Sequence, residues 1–399
     1  MIWNFHSAGA LHFGNESVAK LGDIARSWNW RRVFVVTDRI LARAGIVEKV
    51  KQPLLAAGVE LEIFDGGEPE PSLEVIRDAR AAAEPFRPDA VLGLGGGSNM
   101  DAAKLVAIVL AHGGEPTDYT GDSRVPGPVT PIICVPTTAG TGSEVSAAAV
   151  FTDTANKIKV SSLSQHLRPK VAIVDPLLTL SCPPKVTADS GIDALVHAIE
   201  AITAVDHAEF LKRPGGASVY QGKNPMADLM AAKCIELVGQ FLRRAVKDGS
   251  DLEAREGMAL AATLGGLAFS NAGVALVHAM EYPVGGAVHV SHGAGNGLLL
   301  PHVMRYNLAA RKEVFVKIPF ILGDMPASAD RTFLANAAVE AVEKLAADIG
   351  IPARLRDLGV TADMLPGFAD KAFAISRLMR VNPRYPTRDE ILAVYQSAF

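Results

Sequence analysis

Between residues 32 and 176 the chain alternates short apolar runs with longer amphipathic stretches, and no other feature restricts its fold so strongly. The runs are VFVVTD, ending at Asp38, then LEIFDGG, AVLGLGGGS, PIICVPTT and VAIVDP. They are too short to be helices, rich in β-branched residues, and closed by glycine, aspartate, threonine or proline, as buried parallel strands are. Helical spacing fills the intervals, from Asp38 through Val50, over residues 73–83, and onward from Met100. Strands alternating with helices predict a doubly wound α/β sheet of the Rossmann type, with ligands bound beyond the carboxyl ends of its strands.

Two of those strand ends carry chemistry. Gly95, Gly96, Gly97 and Ser98 follow the third run and precede a helix bearing Asp101 and Lys104. Glycines let backbone approach a pyrophosphate, and the free N–H groups of a helix start favour its charge. The pattern is not GxGxxG, and taken alone a tight turn is the better explanation. The next run ends in Pro136, Thr137, Thr138, Ala139, Gly140, Thr141, Gly142, Ser143 and Glu144. Hydroxyls among glycines suit ribose and phosphate, although a self-capped loop has the same composition. Two such loops together point to a dinucleotide. Asp38, at the end of an earlier strand, would accept bonds from the adenosine ribose and repel a 2′-phosphate, which favours NAD over NADP; capping the next helix is the competing reading.

After CPP at 182–184 the strand pattern disappears. The domains are therefore expected at 1–182, binding the dinucleotide, and 183–399, an all-helical metal- and substrate-binding domain. In the second, GIDALVHAIE places Asp193 and His197 four apart, on one face of an apolar helix. By itself such a pair is usually an aspartate and histidine bonded to each other or to water. His278 in VALVHAM and His292 in SHGAGNG extend it to one carboxylate and three imidazoles, a set suited to zinc or ferrous iron.

Composition removes other classes. With 399 residues, 49% hydrophobic and 21% charged, the chain can bury a large core. A net charge of -4 and no block of Lys or Arg argue against nucleic acid or an anionic membrane as partner. No run reaches the length of a spanning helix, and the start lacks a secretory pattern, so a cytoplasmic enzyme is expected. Cys134, Cys182 and Cys234 form neither a disulfide framework nor a CxxC site and read as small core residues.

With GGGSNMDAAK, PTTAGTGSEVS, GIDALVHAIEA and the segment holding His278 and His292 in that order, the chain resembles the iron-containing (group III) alcohol dehydrogenase family. The similarity runs from about Phe13 to Asn307, with an echo in NPRYPTRDEIL. It implies the dehydroquinate synthase-like fold of those enzymes, and hydride exchange between a small alcohol or hydroxyacid and NAD. It also implies metal ligation by Asp193, His197, His278 and His292, and a homodimer. By the same resemblance Asp38, Gly96, Gly97, Ser98, Asp101, Thr137, Thr138, Thr141, Lys159 and Leu178 fall where the family contacts its cofactor. A divalent ion would lower the pKa of a substrate hydroxyl and, in the other direction, polarise a carbonyl. Four protein ligands close a tetrahedral zinc site, whereas ferrous iron accepts more, so iron is expected before zinc.

The chain departs from the family pattern in places. Tyr282 stands where many members have a histidine assigned to proton transfer, and an unperturbed tyrosine titrates near pH 10. Tyr282 is therefore a weaker catalytic candidate than the ligands. Glu70 replaces a common asparagine. Residues 204–223 look like an insertion resembling the hydroxyacid-oxoacid transhydrogenase branch, which implies a retained nicotinamide as the alternative activity, with Lys212 and Arg213 available to a substrate carboxylate.

Overall fold

The computed structural model describes residues 2–153, 158–324 and 330–399. The chain divides into two compact units, His6–Cys182 and Pro183–Phe399, the second joined by residues 2–5. Those first residues were expected in the dinucleotide domain. They group with the helical unit because the Asn4 backbone exchanges two hydrogen bonds of 2.8 Å with the Gln221 side chain.

In the first unit six strands make one parallel sheet in the order β1-β9-β6-β4-β2-β3. They are β1 (Ala10–Phe13), β2 (Arg32–Val36), β3 (Glu60–Phe64), β4 (Ala90–Gly95), β6 (Ile132–Pro136) and β9 (Val171–Val174). Side chains alternate across a strand, and β2 shows the consequence. Phe34 and Val36 enter one core with Ile76, Met100 and Leu105, while Val33 and Val35 enter the other with Ile24, Leu54 and Leu94. Helices α1 (Leu21–Ser27) and α3 (Ile46–Ala56) supply the second core, and α4 (Leu73–Phe86) and α5 (Gly97–His112) the first. The sheet is thus covered on both faces, as a parallel sheet requires.

Three details differ from expectation. The amphipathic stretch after Asp38 is two helices, α2 (Arg39–Arg43) and α3, separated at Gly45, whose φ of 73° leaves the right-handed region. Helix α5 starts at Gly97 rather than Met100, its glycine and serine lying in the first turn where helix propensity matters least. A second sheet also exists, with β8 (Ile158–Leu163) between β5 (Gly121–Asp122) and β7 (Ala148–Asp153) and antiparallel to β7.

The second unit is helical, as expected. Its first elements are α6 (Pro184–Thr203), α7 (His207–Phe210), α8 (Pro225–Lys247), α9 (Leu252–Ala272), α10 (Leu276–Val288) and α11 (His292–Asn307). From Gly191 to Thr203 every residue of α6 is buried, so it is a core helix rather than a surface one. Gly293 permits α11 to reach it, since a Cβ there would lie 1.9 Å from the Asp189 carbonyl oxygen. Among the described residues no single helix is long and apolar enough to cross a membrane.

Candidate metal centre and cofactor loops

Helix α6 carries Asp193 and His197 one turn apart, α10 carries His278, and α11 begins at His292. One ligand atom from each of Asp193, His197 and His278 lies within 4.8 Å of the others, and all three residues are buried. The His197 ring stacks on Phe269 at 4.2 Å and on His278 at 4.9 Å between ring centres. His292 stands 5.3 Å from His278 by the same measure and is the least enclosed, with 34% of its side chain exposed.

Carboxylates orient two of the rings. Glu200, on α6, accepts from His278 Nδ1 at 2.6 Å, and Glu281, on α10, accepts from His292 Nδ1 at 2.5 Å. Each helix therefore holds an imidazole of the next. Glu200 also accepts from the N–H groups of Ala275 and Val277 at 2.9 and 2.6 Å, which caps α10 where Ala275 offers no side-chain cap. Because a carboxylate only accepts, Nδ1 is a protonated nitrogen, and in the tautomer able to bind a metal Nε2 carries the lone pair.

Those lone pairs meet. Asn296 Nδ2 lies 2.8 Å from Asp193 Oδ1, 3.3 Å from His278 Nε2 and 3.1 Å from His292 Nε2. An amide has two protons for these three acceptors, and Asn296 Oδ1 is buried with no hydrogen-bond partner. Acceptors converging in a buried space fit a cation, and one carboxylate with imidazoles suits ferrous iron or zinc. Burial pushes the Asp193 carboxyl up, but the positive charge that His197, then His292 and His278, carry when protonated, together with the Asn296 bond, outweighs it and holds it below the usual range.

In the other unit the two predicted loops touch. Gly95 has a φ of 144°, and a Cβ there would lie 2.2 Å from Asn99 Nδ2. A Cβ on Gly97 would come within 2.8 Å of Thr141, and the space beside Gly96 is bounded by Thr138. Gly96 caps α5, whose first-turn N–H groups, those of Gly97 and Ser98 included, have no acceptor within the helix. The loops fit a pyrophosphate in composition and in helix polarity.

Other residues expected at the cofactor also make bonds within the unit. Asp101 accepts from Ser143 Oγ at 2.7 Å and from Val150 N at 3.0 Å. Lys159 pairs with Glu70 at 2.6 Å, and Glu70, with φ of 54°, donates its N–H to Ser98 Oγ at 3.1 Å. Thr137 is buried, its N–H bonded to the Gly95 carbonyl at 2.9 Å. Leu178 is 1% exposed and belongs to the core beneath β2. Asp38 does cap α2, its Oδ1 accepting from Ile40 and Leu41 at 2.9 Å, while Oδ2 accepts from Asn99 at 2.7 Å. The half-buried Tyr282 ring lies 6.0 Å from that of His292.

Residues 204–223 give no evidence of a transhydrogenase-type insertion. Arg213 is not offered to a substrate: its guanidinium donates to the carbonyls of Arg380, Asn382 and Pro383 at 2.9, 2.5 and 2.9 Å. The segment is sewn into the helical unit through Val205 to Val381, Gln221 to Asn271 and Gly222 to Ala272. Lys212 is exposed beside Glu209. Burial pushes the Cys134 and Cys234 thiols up to about 12, in keeping with core cysteines.

Residues 8–176 match the model of the iron-containing alcohol dehydrogenases, and residues 217–399 match the carboxy-terminal domain of the Fe-containing alcohol dehydrogenase family. The chain belongs to the iron-containing alcohol dehydrogenase family. It is similar to the 1,3-propanediol dehydrogenase of Klebsiella pneumoniae, 38% identical over 97% of this chain and 96% of that one. The NAD-dependent methanol dehydrogenase of Bacillus methanolicus is 34% identical over 99% of both. Among solved structures, a 1,3-propanediol oxidoreductase superposes with a TM-score of 0.93 at 36% identity, covering all of both chains. A sulfoacetaldehyde reductase from Bifidobacterium kashiwanohense, solved in complex with NAD+, gives 0.85 at 27% identity over 100% of this chain and 99% of that one. The trio Asp193, His197 and His278 is thus the metal site of an iron-type alcohol dehydrogenase.

Glu200, Glu281, Asn99 and Asn296 were not singled out by sequence. Three of them left a trace, Glu200, Glu281 and Asn296 each lying a helical turn beyond His197, His278 and His292.

Proposed function

We propose that this iron-type alcohol dehydrogenase is NAD-dependent and interconverts small primary alcohols with their aldehydes. The observation that carries the reading is the convergence of Asp193, His197 and His278, with the His278 ring locked by Glu200. His292, whose Nε2 turns to the same amide, is the fourth ligand in this proposal. Relatives acting on 1,3-propanediol and methanol, and a lactaldehyde reductase of Escherichia coli 34% identical over 97% of both chains, support a small substrate.

When bound, a ferrous ion, or zinc, supplies Lewis acidity toward a hydroxyl or carbonyl oxygen, and the nicotinamide carries the hydride. The chain's own residues bind and orient. Glu200 and Glu281 hold a proton of His278 and His292 on Nδ1 and orient the rings, so that Nε2 is the nitrogen that would meet the ion. The glycines at 95–97 and the threonines at 137, 138 and 141 seat the pyrophosphate and ribose, with Ser98 in the first turn of α5. Asp38 has used three acceptor positions, leaving roughly one of the four a carboxylate offers for a ribose hydroxyl. Its charge disfavours a 2′-phosphate, which supports NAD over NADP. Asp101, Lys159 and Leu178 act behind the cofactor, bracing the loops. Tyr282, beside His292, is retained as the group nearest to a proton role. The protein is proposed to work in the cytoplasm, a placement supported by free cysteines, and as a homodimer.

Full-length protein loaded anaerobically with ferrous iron should change the NAD(H) absorbance with short alcohols or aldehydes. Silence across a panel of alcohols, aldehydes and semialdehydes would refute the reading. A dialysed sample that turns over a hydroxyacid and an oxoacid together, yet ignores added NAD, would point to transhydrogenation instead.

A further inference from the structure

We infer that Glu281 is a positioning residue, whose carboxylate fixes the tautomer and orientation of His292 so that Nε2 faces the metal ion. The inference rests on the reading of His292 as a ligand. His292 is the first residue of α11 and the most exposed of the set, and its ring contacts, with His278 at 5.3 Å and Tyr282 at 6.0 Å, are looser than the 4.2 Å stacking of His197 on Phe269. A ring so placed turns about its side-chain bonds unless something holds it. Glu281 is 0% exposed and approaches His292 Nδ1 at 2.5 Å. Space is reserved for it, because a Cβ on Gly295 would lie 2.9 Å from Glu281 Cγ. Burying a carboxylate is costly, so a position that encloses one beside an imidazole trades stability for a defined hydrogen bond. Glu200 holds His278 in the same way, but its bonds to the N–H groups of Ala275 and Val277 also cap α10, so truncating it would disturb the helix start as well as the ring.

Carboxylates behind metal-bound imidazoles raise metal affinity by about 10–100-fold. Zn2+ titrated into metal-free, full-length protein against a chromophoric chelator should therefore bind Glu281→Ala about 10–100-fold more weakly than the parent, with Glu281→Gln between them. NAD(H) affinity and circular dichroism should be unchanged. Parental affinity in folded Glu281→Ala overturns the inference, as does a variant that loses thermal stability without losing affinity. If Glu281→Ala does not fold, Glu281→Gln decides alone: weaker binding supports the inference and unchanged binding overturns it. His292→Ala separates the two readings. Parental affinity there removes His292 as a ligand, whereas a loss in His292→Ala with none in Glu281→Ala removes only the positioning role.

Discussion

The Lys104 ammonium, wholly enclosed, donates to the Ser143 carbonyl at 2.7 Å and so ties α5 to the loop that follows β6. Further carbonyls, of Ser146 and Ala148, accept at 3.2 and 2.8 Å, and the Ser143 and Ser146 hydroxyls complete the shell. Burial pulls the lysine below its ordinary value while Asp101 pushes the other way. Lys104→Met would leave those carbonyls without donors. A loss of about 2–4 kcal/mol is expected, seen as a fall on the order of 10 °C in the melting of the amino-terminal unit, together with weaker NAD(H) binding. Unchanged melting and cofactor affinity would show that the loop holds its shape unaided.

Asp38 combines a cap with a charge, and one substitution separates them. Serine keeps a side-chain oxygen for the first turn of α2, at a cost of a few tenths of a kcal/mol, but removes the negative charge. Asp38→Ser should raise kcat/KM for NADP relative to NAD by about tenfold, equivalent to about 1.4 kcal/mol of relieved repulsion. An unaltered cofactor ratio with intact stability would leave Asp38 a cap and nothing more.

Arg213 is expected to matter for stability alone. Arg213→Met removes a cation from the carbonyls of Arg380, Asn382 and Pro383 and should cost about 2–3 kcal/mol in urea denaturation. KM for alcohol and aldehyde should not move. A large rise in KM for carboxylated substrates only would restore the residue to substrate binding.

Metal should stabilise the helical unit, because ligands from α6, α10 and α11 meet only in the folded state. Free metal at a thousandfold above Kd contributes about 4 kcal/mol, so chelation should lower the melting temperature and re-addition restore it. His278→Ala should abolish bound metal and activity while its circular dichroism stays parental. Full activity with one metal bound in that variant would be the contrary result.

Much of this was legible along the chain because it depends on local period. Buried strands announce themselves as short apolar runs, and β2, β4, β6 and β9 stand where such runs fall, whereas β3, an edge strand with no buried residue, showed through the alternation of ELEIF. Asp193 and His197 share a helix face by spacing alone. Strand β1 did not show because it covers only Ala10–Phe13, with Leu11 and Phe13 exposed and no buried run to mark it. The pair β7 and β8 did not show because alanine and serine dilute its pattern. Arg213 was misread for a related reason: a basic residue in a polar loop gives no hint that carbonyls almost 170 positions away will surround it.

By itself the sequence determined the alternation of five strands with helices, the glycine turn before α5 and the residue types able to ligate a metal, since these follow from periodicity and side-chain chemistry. Tertiary structure alone decided which carboxylate meets which imidazole. Glu200 finds His278 across 78 positions and Asn296 finds Asp193 across 103, and such pairings depend on how closely two helices pack. Hydrogen bonds form or fail within a few tenths of an ångström. That distance is set by packing, as where Gly293 admits α11 to the backbone of α6, and not by spacing along the chain.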